Sequence, residues 1–257
     1  MVLFTNKNDI ILKVQNITVE VEGKAILKDV NLELPRSQSY VLFGPNGSGK
    51  STLIKAIIGF PAYNVTNGKI IFDGQDITKL PIDQRIKLGI SVAYQHPPEI
   101  KGIKLIDIFK FCLKKKPDED LDPKHYELIE RLKLTPFLNR NINVGFSGGE
   151  RKRSEIVQML FLKPKLILLD EPDSGVDIES LRLISNEIEK FIKKTGSSVL
   201  IVTHQGEILN HITTKRACVL LDSTIYCYAN PQDIFNTIKN VGFAKCIECK
   251  ERVEEQQ

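Results

Sequence analysis

An α/β fold is predicted by three features of this 257-residue chain, with a parallel-sheet core, an antiparallel β subdomain and a helical subdomain insert. Gly44-Pro45-Asn46-Gly47-Ser48-Gly49-Lys50-Ser51-Thr52 fits G-x-x-x-x-G-K-[ST], lying between an apolar strand at Tyr40–Phe43 and a helical run from Leu53 to Ile58. Leu166-Ile167-Leu168-Leu169 is apolar throughout, as a strand covered on both faces requires, and it ends in Asp170-Glu171. Between these two landmarks, residues 104–140 read as polar helix.

Taken in order, residues 11–34 are strand-like: Val30–Leu34 alternates in period two, and Val14–Val21 is rich in β-branched residues. Pro35-Arg36-Ser37-Gln38 turns the chain into the strand before the glycine loop. Gly59 closes the helix after the loop, and Gly68–Ile77 reads as two short strands around Asp73-Gly74. Pro81 opens a short helix to Leu88 with Gly89 at its stop. Ile90–Ala93 is a further apolar strand, and Pro97-Pro98 forces an extended exit that presents Gln95 at the strand end. The charge run Lys114–Asp120 is expected to be a solvated loop within the helical insert.

Ser147 and Glu150 form a capping box for a helix running to about Leu162, exposing N–H groups beside Gly148 and Gly149. Arg151, Lys152 and Arg153 crowd its first turn against the helix dipole, so either they are solvated or a nearby anion or carboxylate offsets them. Ile178–Lys194 is an amphipathic helix ended by Gly196, and Ser198–Thr203 is a buried strand that presents His204. Residues 218–221 and 225–228 make a terminal strand pair, 231–240 a helix, and 241–257 a charged tail expected to fray. The division expected is a nucleotide-binding core with its antiparallel β subdomain at 1–94 and 163–240, and a helical subdomain at 95–162.

Composition narrows the class. With 42% hydrophobic and 26% charged residues the chain is ordinary for a soluble protein, and 36 basic against 32 acidic residues is too mild for a nucleic-acid binder. No stretch approaches the roughly 20 apolar residues of a membrane span, and Met1–Thr5 lacks the basic start of a signal peptide. Cytoplasmic placement without membrane insertion is expected. Five cysteines argue against a disulfide framework and for a reducing compartment, with Cys112, Cys218 and Cys227 in or near the core. Cys246 and Cys249 form C-x-x-C with no second pair, and read as two thiols in preference to a metal or redox site.

The glycine loop is a phosphate cradle: its N–H groups turn inward as an anion nest and the next helix aims its positive end at the same point. Lys50 is then expected on the β/γ-phosphates, Ser51 on Mg²⁺ and Thr52 near the inner phosphates. Asp170 would hold Mg²⁺ through water, while Glu171 orients or deprotonates the attacking water. Gln95 and His204 would contact the γ-phosphate and the metal–water shell. These residues together specify hydrolysis of a nucleotide held with Mg²⁺.

The ordered set of a Walker A loop at Gly44–Thr52, a glutamine loop at Gln95, Phe146-Ser147-Gly148-Gly149-Glu150, a Walker B strand ending Asp170-Glu171, Ser174-Gly175-Val176-Asp177 and His204 resembles the ABC-type ATPases over residues 12–240. That resemblance implies a head-to-tail dimer. In it Ser147, Gly148, Gly149 and Glu150 of one copy close over nucleotide held by the cradle of a second copy of the chain, with Asp177 communicating across the interface.

Transporter subunits typically continue the signature with Gln-Gln-Arg, whereas this chain reads Glu150-Arg151-Lys152-Arg153-Ser154-Glu155-Ile156-Val157-Gln158-Met159. This stretch, Tyr94–Ile100, Asn143–Phe146 and Asp173–Leu181 are similar to the SufC group, the ATPases of iron–sulfur cluster assembly. By resemblance the partners are SufB- and SufD-like scaffold proteins, with the segment after Gln95 as coupling surface; the alternative is the nucleotide-binding subunit of a membrane transporter. Pro172 stands where SufC-like chains usually carry Ser or Thr, a more transporter-like choice. Val21 occupies the place where many ABC ATPases put an aromatic ring against adenine, which predicts weak base discrimination.

Overall fold

A computed structural model describes residues 9–95, 97–228 and 230–254, and within these the side chains of all but 227, 228, 244 and 247–254. The chain opens with β1 (Ile10–Val21) and β2 (Lys24–Pro35), antiparallel partners with Leu12 opposite Leu34 and Val14 opposite Leu32. Next come β3 (Ser39–Phe43), α1 (Lys50–Ile58), β4 (Asn64–Phe72) and β5 (Gln75–Asp76). Asp73 and Gly74 both take positive φ, 51° and 82°, in the two-residue hairpin turn that their sequence predicts. Strands β2-β1-β4-β5 make a four-stranded antiparallel sheet.

The chain continues through α2 (Ile82–Leu88), β6 (Ile90–Ala93), β7 (Ile100–Lys104), α3 (Leu105–Cys112) and α4 (Pro123–Arg131). It then forms β8 (Asn141–Ile142), α5 (Gly148–Phe161), β9 (Leu166–Asp170), α6 (Ile178–Thr195) and β10 (Ser198–Val202). Last are β11 (Arg216–Leu221), β12 (Thr224–Tyr228) and α7 (Pro231–Glu254). The central sheet runs β12-β11-β3-β10-β9-β6, parallel except for β12.

Alternation along the central strands divides their side chains between two cores. Val41, Phe43, Ile167, Leu169, Val199 and Ile201 face one, with α5 and α6 over them; Tyr40, Leu42, Leu166, Leu168, Leu200 and Val202 face the other, against α1 and the antiparallel sheet. All five residues of β3, of β9 and of β10 are buried, the condition that an uninterrupted apolar run anticipates. Phe109, Leu132 and Ile156 of the insert share the first core with the sheet.

Three expectations need correction. Residues 241–254 are not a frayed tail in their backbone: α7 continues to Glu254 past a kink at Gly242 (φ 83°), and Cys246 is buried. Residues 100–104 and 141–142, bordering the polar helical stretch, pair as a small β7-β8 sheet. Cys218, expected as a plain core thiol, is disulfide-bonded. The Cys249 side chain lies outside the described residues, and among those described no group of three or more His, Cys, Asp or Glu could hold a metal.

Candidate functional site: a phosphate-binding cleft

The glycine loop leaves β3 and enters α1 with Gly49 at φ 98°. A Cβ there would also lie 2.4 Å from Leu27 Cδ2, so both backbone and packing require glycine. Lys50 is the first helical residue, and its ammonium turns back onto the carbonyls of Gly44 (2.8 Å) and Pro45 (2.9 Å). Burial lowers its pKa, countered by the charges of Glu171 and Asp170. Ser48 Oγ is buried without a hydrogen-bond partner.

Ser51, one residue into α1, donates to Asp170 Oδ1 at 2.9 Å from the end of β9. Burial raises the Asp170 pKa, with Ser51 opposing and the neighbouring Glu171 charge adding to the shift. Glu171 leaves the strand at φ 48°, an unusual conformation for a side chain of its size, and its N–H is fixed on Val202 O at 2.8 Å. That turn brings two consecutive acids, which a continuing strand would point to opposite faces, to one side. Gln95 donates to Glu171 Oε2 at 2.5 Å, and His204 Nδ1 lies 3.1 Å from Glu171 Oε1. Thr203 Oγ1 donates to buried Asp173 and accepts from the N–H groups of Gln205 and Gly206, which sets the loop that carries His204.

These residues open onto a cleft of about 610 Å³ lined by Asn46, Gly47, Gly49, Lys50, Ser51 and Thr52 together with Gln95, Glu171 and His204. Val21 and Ile26 also line it, both aliphatic. Tyr63 also lines it, its hydroxyl accepting from Lys55 Nζ at 3.0 Å. Tyr63 packs edge-on against Phe60, and Phe60 against Tyr94, each at 6.2 Å between centroids.

Ser147, Gly148, Gly149, Glu150 and Asp177 do not line this cleft. Ser147 caps α5, accepting from Glu150 N at 3.2 Å while its own N–H donates to Glu150 Oε2 at 2.7 Å. Asp177 caps α6 through Ser180 N at 2.8 Å, and the Ser180 contacts hold its carboxyl below the usual range. A Cβ on Gly149 would lie 2.5 Å from Asp177 Oδ2 and 2.4 Å from Ser180 Oγ, so the two helix starts meet through glycine. Ser147 and Gly148 are exposed beside them.

Sequence reasoning missed what holds the Gln95 segment. The basic first turn of α5 finds its carboxylates within the chain: Arg151 pairs with Glu99 at 3.0 Å, and Lys152 pairs with Glu155 at 3.1 Å. Arg153 donates to Leu132 O at 3.2 Å. Lys152 also donates to Tyr94 O, and Tyr94 N donates to Glu155 Oε1 at 2.7 Å. Asn143 Nδ2 donates to Pro98 O at 2.8 Å. The departure from Gln-Gln-Arg after Glu150 was the available signal, but the sequence did not say which carboxylates answered it.

The cradle and its acids fit a magnesium nucleotide on their own chemistry. An orphaned hydroxyl and a lysine satisfied only by loop carbonyls suit phosphate oxygens, while a hydroxyl and a carboxylate 2.9 Å apart suit a hard cation. Comparison with known proteins agrees. The profile of the ABC transporter family matches residues 27–174. The probable ATP-dependent transporter slr0075 of Synechocystis is 42% identical over 84% of this chain and 88% of its own length. MJ1267, an ATP-binding cassette of an ABC transporter solved in its ADP conformation, superposes with a TM-score of 0.73 at 27% identity over 93% of this chain and 98% of its own. The ATP-binding cassette MJ0796, dimeric and bound to ADP and Pi, shares the fold with a TM-score of 0.71 at 24% identity over 85% of this chain and 98% of its own.

Proposed function

The chain belongs to the ABC transporter family, and from that premise we propose that it is the ATP-hydrolysing subunit of a soluble SufB/SufD-like iron–sulfur cluster assembly scaffold in the cytoplasm. It is an ATPase. Two copies would close head to tail on MgATP and pass the motion to the scaffold. Among the described residues no helix is long and apolar enough to cross a membrane.

Lys50 and the loop N–H groups hold the β- and γ-phosphates, with Asn46, Gly47, Ser48, Gly49 and Thr52 completing the cradle. Ser51, Asp170 and Gln95 would hold Mg²⁺, the latter two through water, and the ion would supply charge neutralisation at the phosphate oxygens. Glu171 orients a water for in-line attack on the γ-phosphorus and takes up its proton as the bond to ADP breaks and phosphate departs. His204 holds both Glu171 and the γ-phosphate oxygens. Ser147, Gly148, Gly149, Glu150 and Asp177 act on the nucleotide of the second copy.

The observation that carries the scaffold reading is the buried Lys152–Glu155 pair, which replaces the transporter-type continuation of the signature and grips the peptide before Gln95. The segment after Gln95 borders an apolar groove of about 250 Å³ lined by Pro97, Pro98, Ile100, Ile142 and Leu162, a surface suited to a partner helix. A second reading, the nucleotide-binding subunit of a membrane transporter, is favoured by Pro172 and by the name of the Synechocystis relative. A pull-down from native extract separates them: co-purification with a soluble β-rich scaffold supports the first, and with a multi-span membrane protein the second.

A further inference from the structure

Tyr94 is the residue before Gln95, and both of its backbone polar groups are taken by side chains of one helix. Its N–H donates to Glu155 Oε1 at 2.7 Å and its carbonyl accepts from Lys152 Nζ. Lys152 and Glu155 lie one turn apart on α5, 3.1 Å from each other, with relative exposures of 1% and 9%. The Tyr94 ring leans edge-on against Phe60, just beyond the end of α1. A residue whose N–H and carbonyl are both bonded by one helix is tied to the position of that helix.

Packing alone does not account for this arrangement. A buried ion pair carries a desolvation cost that an apolar pair of similar volume avoids. Such an apolar pair, however, would leave the Tyr94 N–H and carbonyl without these partners, and each unmet buried group is costly. The pair therefore has a positional consequence. Helix α5 begins at the Ser147–Gly149 segment, and two turns along it holds the residue next to the glutamine that bonds Glu171.

We propose that Glu155, acting with Lys152, is a positioning residue for ATP hydrolysis: the pair fixes Tyr94 to α5, so the position of the Ser147–Gly149 helix end decides whether Gln95 sits on Glu171. The proposal rests on the ATPase activity and not on the identity of the scaffold. Glu155 touches no substrate and acts through Tyr94 and Gln95.

A double-mutant cycle on the full chain tests it, measuring turnover at saturating MgATP, nucleotide affinity and melting temperature for Glu155→Ala, Gln95→Ala and the double variant. Glu155→Ala should lower kcat about tenfold while nucleotide affinity changes less than about twofold, and in the Gln95→Ala background it should lower kcat by less than about twofold more. Glu155→Gln, which keeps an oxygen acceptor for Tyr94 N–H, should recover part of the lost turnover. A full tenfold loss persisting in the Gln95→Ala background, or a wild-type kcat for Glu155→Ala, overturns the proposal. Should Glu155→Ala melt below the assay temperature, Glu155→Gln takes its place in the cycle and the same non-additivity decides.

Discussion

The Gln95 amide donates to the Glu171 carboxylate at 2.5 Å, spanning the ends of the neighbouring parallel strands β6 and β9. His204 Nδ1 lies 3.1 Å from the other oxygen, so each Glu171 oxygen has a neighbour across the cleft. Each of these oxygens keeps a second lone pair with which, in the proposed mechanism, Glu171 would accept from the attacking water. Glu171→Gln keeps the shape and removes the basicity. It should leave MgATP affinity within about twofold and lower phosphate release at least about 100-fold, the scale of general-base catalysis. Unchanged turnover in a phosphate-release assay would remove Glu171 from this role.

How far the sequence reaches is visible in α5. Its start was legible because the Ser147–Glu150 capping box is a local pattern four residues long, and it forms as read. The grip of Lys152 and Glu155 on Tyr94 was not, because its partners lie 58 and 61 positions apart and no periodicity links them. The cleft itself followed from the glycine loop and the apolar run ending in Asp170-Glu171, since both features mark the carboxyl ends of parallel strands. The turn at Glu171 was implied by Pro172, but its placement at positive φ depends on the Val202 carbonyl of the neighbouring strand. The helix after residue 240 was missed because Gly242 interrupts the pattern there.

Val21 and Ile26 give the cleft aliphatic walls, and Val21 stands where the family resemblance expects an aromatic ring against the base. Without a ring at position 21, the base forgoes a stacking contact of about 1–3 kcal/mol by analogy with base–aromatic contacts. ATP and GTP should bind and turn over within about threefold of each other. Val21→Tyr should tighten ATP binding about tenfold or more, as read by titration calorimetry; sharp ATP selectivity in the unaltered chain would contradict this account.

Arg85 is buried beneath the end of α1 and donates to the carbonyls of Ala56, Ile57, Thr78 and Leu80, each at 2.8 Å. It closes the helix that begins at the phosphate loop, and burial lowers its pKa to about 10. Arg85→Met fills much of the volume and removes the guanidinium from these carbonyls, of which that of Ala56 keeps the Gly59 N–H at 3.2 Å. The expected cost is about 3 kcal/mol, read as a melting temperature lower by about 6–12 °C. An unchanged melting temperature would show that water replaces the guanidinium at no cost.

Glu155 gives stability a specific pH dependence. Burial raises its pKa from 4.5 to about 6, against the opposing pull of Lys152. A raised carboxyl pKa means the native state binds this proton more tightly than the unfolded chain, so the contribution is complete below pH 4.5 and is lost as pH rises through about 6. The shift corresponds to about 2 kcal/mol. Urea unfolding of the unaltered chain and of Glu155→Gln should therefore show the former losing about 2 kcal/mol relative to the latter between pH 4.5 and pH 7.5. A constant difference across that range would place the Glu155 pKa at its ordinary value.

Finally, the cleft of one copy holds Lys50, Ser51 and Glu171 but not Ser147 or Gly149, which stand exposed or wedged against Asp177 at the start of α5. If the cleft is half a site, as the proposed head-to-tail dimer requires, a single chain binds nucleotide and hydrolysis waits for the α5 start of a second copy. Mass action then makes turnover rise faster than protein concentration: below the dimer dissociation constant, doubling the chain should raise the rate about fourfold. Ser147→Arg should abolish that cooperative turnover while leaving nucleotide binding by the isolated chain within about twofold, because Ser147 does not line its own cleft. Steady-state assays across a hundredfold concentration range, with mass measured by light scattering, decide the matter. Strictly linear turnover in a verified monomer would make each cleft self-sufficient.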